Sequence, residues 1–201
     1  MELADVARRR RMVRSFSPEP PAPALLDRIL GLALRAPTAG NTEGWDAVVL
    51  EGPDQTEPFW TATTTPDWRA RSPRWTGLRR APVVVALFSS PAAYLARYGE
   101  PDKEAAGLSA GLDAWPVPYW DVDAGMAALL LLLGAVDAGL GACFLGNFRG
   151  EEALRRALAV PEDRRYLGAV LIGRAEGDDP PTVSARRPRR SPAEVYHRAR
   201  W

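Results

Sequence analysis

A chain of 201 residues that is 46% hydrophobic and 25% charged has the make-up of an ordinary globular protein and enough length for one substantial core. Its 26 basic and 25 acidic residues leave a formal net charge of +1, which excludes the global basic field that bulk nucleic-acid binding relies on. Cys143 is the single cysteine and His197 the single histidine, so an intramolecular disulfide, a His-based triad and a multi-histidine metal site are all excluded within one chain.

Residues 1–14 are predicted as one helix, with Arg8 to Arg11 and Arg14 toward its C-terminal end. Prolines 18, 20, 21 and 23 then impose an extended connector. Leu25, Leu26, Ile29, Leu30, Ala33 and Leu34 recur at three-to-four spacing, which defines an amphipathic helix ending before Pro37 and followed by the loop APTAGN. WDAVVLEG reads as a strand, and APVVVALFSS, Ala81 to Ser90, as a fully buried one. Between them, residues 53–80 carry Trp60, Trp68 and Trp75 and are expected to form short helix and loop over a pocket. Residues 91–120 are expected to be a second irregular insertion, ending in DAWPVPYWD.

A long helix is expected from about Ala124, capped by Asp121 or Asp123 and ended by Gly139 or Gly141. The apolar run Gly125 to Gly146 is long enough to prompt a membrane check, but Asp137 and several glycines interrupt it, so it reads as a buried core helix followed by the strand GACFLG. A helix near Gly150 to Ala159, the strand LGAVLIGRA and a basic tail complete the chain. No repeat or linker divides it. One domain over 1–201 is expected, with 178–201 as an extended C-terminal arm. Strands and helices in mixed order favour an α+β fold, a layered mixed sheet flanked by helices, over a doubly wound parallel sheet. No charged-then-apolar leader opens the sequence, which points to a cytoplasmic protein, and the Ala, Gly, Pro and Arg usage, with Lys103 the lone lysine, suggests a bacterial genome.

Neither a phosphate loop nor GxGxxG after a strand is present. Abundant arginine and aromatics with little acid-base machinery point to a bound cofactor that carries the hard chemistry, and an anionic planar one fits best. Four landmarks then occur in order: RRMVRSF from Arg10 to Phe16, APTAGNTEGW from Ala36 to Trp45, the apolar helix from Asp123 running to GLG at Gly141, and RRSP in the tail. Together they resemble the FMN-dependent nitroreductase family, whose usual forms are RRSVRxF, APSxxNxQPW and an apolar helix closing in GLG. The resemblance covers essentially the whole chain.

It implies an FMN-dependent oxidoreductase that passes hydride from NAD(P)H to a small electron-poor acceptor such as a nitroaromatic or quinone by ping-pong. It also implies a homodimer with flavin at the subunit interface. By residue, it implies that Arg10 and Arg11 hold the phosphate and ribityl chain and that Arg14 lies near the N1 and O2 edge of the flavin. Pro37, Thr38 and Ala39 match a contact made to the flavin by the partner subunit; Asn41 either joins them or holds a turn. Leu145 and Gly146 match the backbone that faces flavin N5, leaving no catalytic side chain, and Arg189 or Arg190 matches a C-terminal phosphate ligand. Met12 departs from the family's Ser or Thr, Glu43 from its Gln and Gly44 from its Pro.

Trp68, Trp75, Trp115, Tyr119 and Trp120 are the candidates for the acceptor pocket, or alternatively seal a dimer, with Asp113 and Asp121 behind them. Trp45 and Cys143 read as core, Arg8, Arg9, Arg186 and Arg187 as solvated charge, and His197 as an exposed or dimer-contact residue. Two alternatives stay open: a flavin-dependent dehydrogenase or oxidase of a peptide-derived or heterocyclic metabolite, and a non-catalytic flavin-binding protein. NADH against NADPH, and FMN against a deazaflavin, are also open. No nucleic-acid, membrane or metal partner is expected.

Overall fold

The computed structural model describes residues 1–147, 149–177, 179 and 183–201. In chain order it contains α1 (Leu3–Arg9), α2 (Pro23–Ala33), β1 (Trp45–Glu51), α3 (Gly52–Thr63), α4 (Pro66–Arg71), α5 (Trp75–Arg79), β2 (Val83–Ser89), α6 (Pro91–Tyr98), α7 (Tyr119–Asp137), β3 (Gly141–Leu145), α8 (Glu151–Ala157), β4 (Arg165–Gly173) and α9 (Pro192–Val195). The strands form one sheet in the order β1-β2-β4-β3 with every ladder antiparallel. The expected α+β layered architecture is the one observed, and the parallel component is a single bridge between Met12 and Ala142 at the β3 edge.

β2 is buried along its whole length, because the sheet is covered on both faces and the two-residue side-chain period splits its apolar run between them. Val83, Val85 and Leu87 join Val170 and Ile172 of β4 against α2 and α7. Val84, Ala169, Leu171 and Cys143 face the other way, onto Phe59 and Trp60 of α3, Leu78 of α5 and Leu154 of α8. By length and composition α7 could cross a membrane, and half of its apolar window is buried in the fold.

Several boundaries differ from the sequence expectation. The first helix stops at Arg9 rather than running to residue 14. Val13 and Phe16 are 3% and 0% exposed, and an extended backbone lets this segment bond first to β3 and then to the residue that follows β4. The Val13 N–H donates to Ala142 O (2.9 Å) and the Ser17 N–H to Arg174 O (2.9 Å). α7 begins at Tyr119, five residues before Ala124, so Asp121 and Asp123 lie inside it and neither caps it. Residues 91–98 form a regular helix, capped by the Ser90 hydroxyl, where an irregular segment is expected. The start of the expected arm at Asp178 lies outside the described residues; from residue 185 the tail is exposed and carries α9 with a Ser191–Glu194 capping box.

Gly77 of α5 is where the arginine segment is pressed against the body. A Cβ there would stand 2.4 Å from Arg14 O and 3.0 Å from Ser15 Cα, and both are backbone atoms that cannot turn aside. Gly77→Ala is expected to lower unfolding stability by about 1–3 kcal/mol, the cost of overpacking. A denaturant melt that matches wild type would show that the two segments separate freely.

Candidate functional site

Past α1, which ends at Arg9, the segment from Arg10 to Arg14 is extended, so its side chains alternate between two sides. Arg9, Arg11 and Val13 line a cleft of about 260 Å³ with Val136, Leu140 and Arg174. Arg10, Met12 and Arg14 therefore form the other row, and the four-arginine run divides into two sets with different surroundings. Arg14 is half-buried, and its guanidinium donates to Met12 O (2.9 Å). Its backbone N–H donates to Asp179 Oδ2 (2.8 Å). Asp179 is 7% exposed and also pairs with Arg11 at 3.5 Å, so one carboxylate binds both sets. The Met12 sulfur accepts from the Phe144 N–H (3.3 Å). Met12, which departs from the Ser or Thr of the family the sequence resembles, thus fastens the segment to β3.

β3 carries the site onward. Met12 is bridged to Ala142, and β3 runs on from there through Cys143 and Phe144 to Leu145 and the exposed Gly146. There the chain borders a cavity of about 580 Å³ lined by Thr63, Thr64, Thr65, Trp68, Arg71, Leu145, Gly146, Asn147 and Arg149, among others. The threonines are placed by helix-end chemistry. Thr63 Oγ1 donates to Phe59 O (2.7 Å) at the end of α3, and Thr65 Oγ1 accepts from the Trp68 N–H (3.2 Å) at the start of α4. Among the described lining residues there is no carboxylate and no histidine. Cys143 lies just behind, 1% exposed. Burial pushes its thiol up, with Arg14 and Arg74 opposing and Asp179 reinforcing, which leaves a neutral core side chain rather than a nucleophile.

The candidate aromatics separate into two groups. Trp68 is 38% exposed at the cavity. It meets Trp75 edge-on (5.8 Å), and Trp75 in turn meets Trp60 (5.3 Å), so Trp75 supports the wall more than it faces the space. Trp115 and Trp120 are 7% and 5% exposed and pack with Tyr94 in a separate cluster; they are core, not the open pocket residues expected. Tyr119 beside them is 40% exposed. Asp121 accepts from the buried Ser89 hydroxyl (2.7 Å) and pairs with Arg165 at 3.6 Å, a structural role.

The loop bearing Pro37, Thr38, Ala39 and Asn41 sits at the α2–β1 junction, against this second cluster through Ala39. Asn41 (φ 54°) and Glu43 (φ 52°) are left-handed beside Gly40 (φ 65°), a conformation that asparagine visits but that costs a residue such as glutamate about 1 kcal/mol or more. The Asn41 N–H donates to Thr38 O (3.0 Å), so Asn41 does hold a turn. Among the described residues this loop shares no hydrogen bond or ion pair with Arg10–Arg14. The same is true of Arg189 and Arg190, which lie in the exposed tail, where Arg190 donates to Glu194 O. Arg71, Arg74 and Arg149 were not singled out by sequence, because no motif marks them.

The Nitroreductase family profile matches residues 7–174. The chain belongs to the nitroreductase family. It is accordingly an FMN-dependent oxidoreductase. A curated relative, an NADH dehydrogenase/NAD(P)H nitroreductase of Archaeoglobus fulgidus, is 25% identical over 167 residues, covering 82% of this chain and 80% of its own. Two solved nitroreductases share the fold. That of Lactococcus lactis, CinD, has a TM-score of 0.78 at 16% identity, with 99% of this chain and 100% of its own covered. That of Desulfovibrio desulfuricans has a TM-score of 0.67 at 21% identity, with 98% and 95% covered.

One outward feature of this nitroreductase-family site is sensitive to acid. Arg97 of α6 donates from Nε to Gly40 O (2.9 Å) and is itself held by Asp102 through two bonds of 2.7 and 2.8 Å. Those bonds, led by the guanidinium hydrogen bond, keep the Asp102 carboxyl below the usual range. A lowered folded pKa contributes stability that is present above the unfolded value of about 3.9 and is lost as pH falls through the folded one. Melting temperatures between about pH 6 and pH 3 are expected to fall further for wild type than for Asp102→Asn; parallel profiles would show that the pair is idle.

Proposed function

We propose that the protein is an NAD(P)H oxidoreductase that binds FMN along the Arg10, Met12 and Arg14 row and passes hydride to small, electron-poor, preferentially anionic acceptors in the cavity beyond Leu145 and Gly146. The observation that carries this reading is the β3 edge itself. Met12 is fastened to its Ala142 and Phe144, and the same strand leads to the exposed Gly146 backbone at the border of a cavity of about 580 Å³. The donor set suits the cofactor: guanidinium groups for phosphate and for the electron-rich edge of the ring, and a glycine backbone where close approach is needed.

FMN, when bound, supplies the ring that accepts and returns hydride. The chain's own contribution is electrostatic and steric. Arg14 would supply a fixed positive charge beside the ring in a poorly solvated position, which favours the reduced, negatively charged state. Trp68 and the Thr63–Thr65 run wall the space above. With no acid or base among the described lining residues, protons for the product come from water. Arg71 and Arg149 are the cations at the cavity and would draw acceptors that carry a carboxylate or a nitro group. Solved complexes of the Lactococcus lactis nitroreductase with nicotinic acid and with chloramphenicol are in keeping with such occupants, as is the Desulfovibrio desulfuricans complex for FMN. The name of the Archaeoglobus fulgidus relative supports a nicotinamide reductant.

A homodimer is part of the proposal. Met126 and Leu129 on α7 and Leu32 and Leu34 at the end of α2 are 39–69% exposed, an apolar surface that a second copy would cover. The separation of the Pro37–Asn41 loop from the arginine segment within one chain is what a flavin shared by two subunits requires.

Steady-state rates with NADH and 4-nitrobenzoate both varied should give the parallel double-reciprocal lines of a ping-pong cycle. kcat/KM should exceed that for 4-nitrobenzyl alcohol by about tenfold, the worth of one charge-assisted contact. The preference should vanish in Arg71→Ala with Arg149→Ala. No NADH oxidation with any nitroaromatic or quinone would overturn the reading.

A further inference from the structure

We infer that Asp123 is a positioning residue: with Tyr94 and Arg97 it clamps the Pro37–Gly44 loop in the shape that meets a partner chain's flavin. The inference rests on the proposed dimeric flavin site and adds to it residues that the family landmarks do not assign to the cofactor.

Asp123 is 2% exposed, inside the apolar helix α7. A buried carboxyl is costly unless it is hydrogen-bonded. Its Oδ2 accepts two bonds, from the Ala39 N–H (2.7 Å) and from the Tyr94 hydroxyl (2.7 Å). Both donors serve the loop. Tyr94 is fully buried. Burial first, and then the bond to Asp123, push its hydroxyl above the ordinary tyrosine range, so it remains a donor wherever the protein is folded.

The loop is fitted to these residues at close range. A Cβ on Gly44 would lie 2.4 Å from the Tyr94 ring, so the family's proline cannot be accommodated here while Tyr94 occupies that space. A Cβ on Gly40 would lie 2.9 Å from the Tyr98 ring. The Gly40 carbonyl is gripped from outside by Arg97 Nε at 2.9 Å. Gly40, Asn41 and Glu43 are all at positive φ. Glycine and asparagine visit that region but glutamate avoids it, so at Glu43 the loop does not hold its shape by local preference. The clamp supplies the missing constraint. Loss of Asp123 would leave the Ala39 and Tyr94 donors without their buried acceptor and release the loop.

The test compares Asp123→Ala, Asp123→Asn and Tyr94→Phe in the full-length chain, with Ile172→Val on β4 as a core control. Amide hydrogen exchange across residues 39–45 reads the loop without any cofactor, and titration with FMN reads the site. Asp123→Ala should speed exchange in the loop and weaken FMN binding by about tenfold. Asp123→Asn, whose amide oxygen can accept both bonds, should stay near wild type, and Ile172→Val should change neither readout. Unchanged loop exchange in Asp123→Ala would overturn the clamp. Faster exchange with unchanged FMN affinity would overturn its link to the flavin. If wild type binds no FMN, the dimeric flavin reading fails and that link with it, while exchange still decides the clamp. Should Asp123→Ala not fold, Tyr94→Phe, which removes the bond to Asp123, and Arg97→Ala, which removes the bond to Gly40 O together with those to Glu100 and Asp102, are read the same way.

Discussion

The site depends on one edge pairing: the Val13 N–H bonded to Ala142 O, with Met12 bridged to the same residue. Those bonds fix an arginine-rich segment as a strand, and a strand has two sides. Had it stayed helical, its charges would radiate around a cylinder and most would meet water. Bridged to β3, it turns Arg11 and Val13 toward the cleft that Arg9 at the end of α1 also lines, and leaves Arg10, Met12 and Arg14 in the other row. Core packing enforces the same conformation, since Val13 and Phe16 must both be buried, and Gly77 permits the close approach. Asp179 completes the arrangement by bonding both the Arg14 backbone and the Arg11 side chain. The carboxylate partly offsets a positive cluster that a phosphate would otherwise have to itself.

The chemistry this frame allows is narrow. Cys143 is a buried neutral thiol, and His197 is stacked on Trp201 in the exposed tail. The cavity wall offers threonines, one indole, an asparagine and two guanidinium groups. Such a wall binds, orients and polarises but does not transfer protons. That division of labour is what a redox cofactor needs from its protein. It also explains why the site escapes a search for catalytic side chains.

Much of this was legible in the sequence. The amphipathic α2, the buried β2 and the long apolar helix followed by β3 follow from periodicity and run length, and the order of four landmarks carried the family. Local propensity misled where tertiary pairing won: a run of arginines favours helix, yet Val13 and Phe16 draw residues 10–16 into the sheet. Asp121 and Asp123 looked like caps because they precede an apolar run. The helix instead starts earlier, and each acid bonds a distant partner that no sequence spacing reveals. Trp115 and Trp120 were equally ambiguous, since an aromatic in an irregular segment can wall a pocket or fill a core. Only packing against Tyr94 decides. Arg71, Arg74 and Arg149 had no signal at all in a chain with arginine everywhere.

The Arg10, Met12 and Arg14 row is proposed to select a flavin by its phosphate. Equilibrium titration of the cofactor-free protein with FMN and with riboflavin, followed by the flavin absorbance and fluorescence, tests it most directly. One FMN per chain is expected, with riboflavin binding weaker by about a hundredfold for the loss of two or more charge-assisted phosphate contacts. Equal affinity for the two, or no spectral change with FMN, would contradict it.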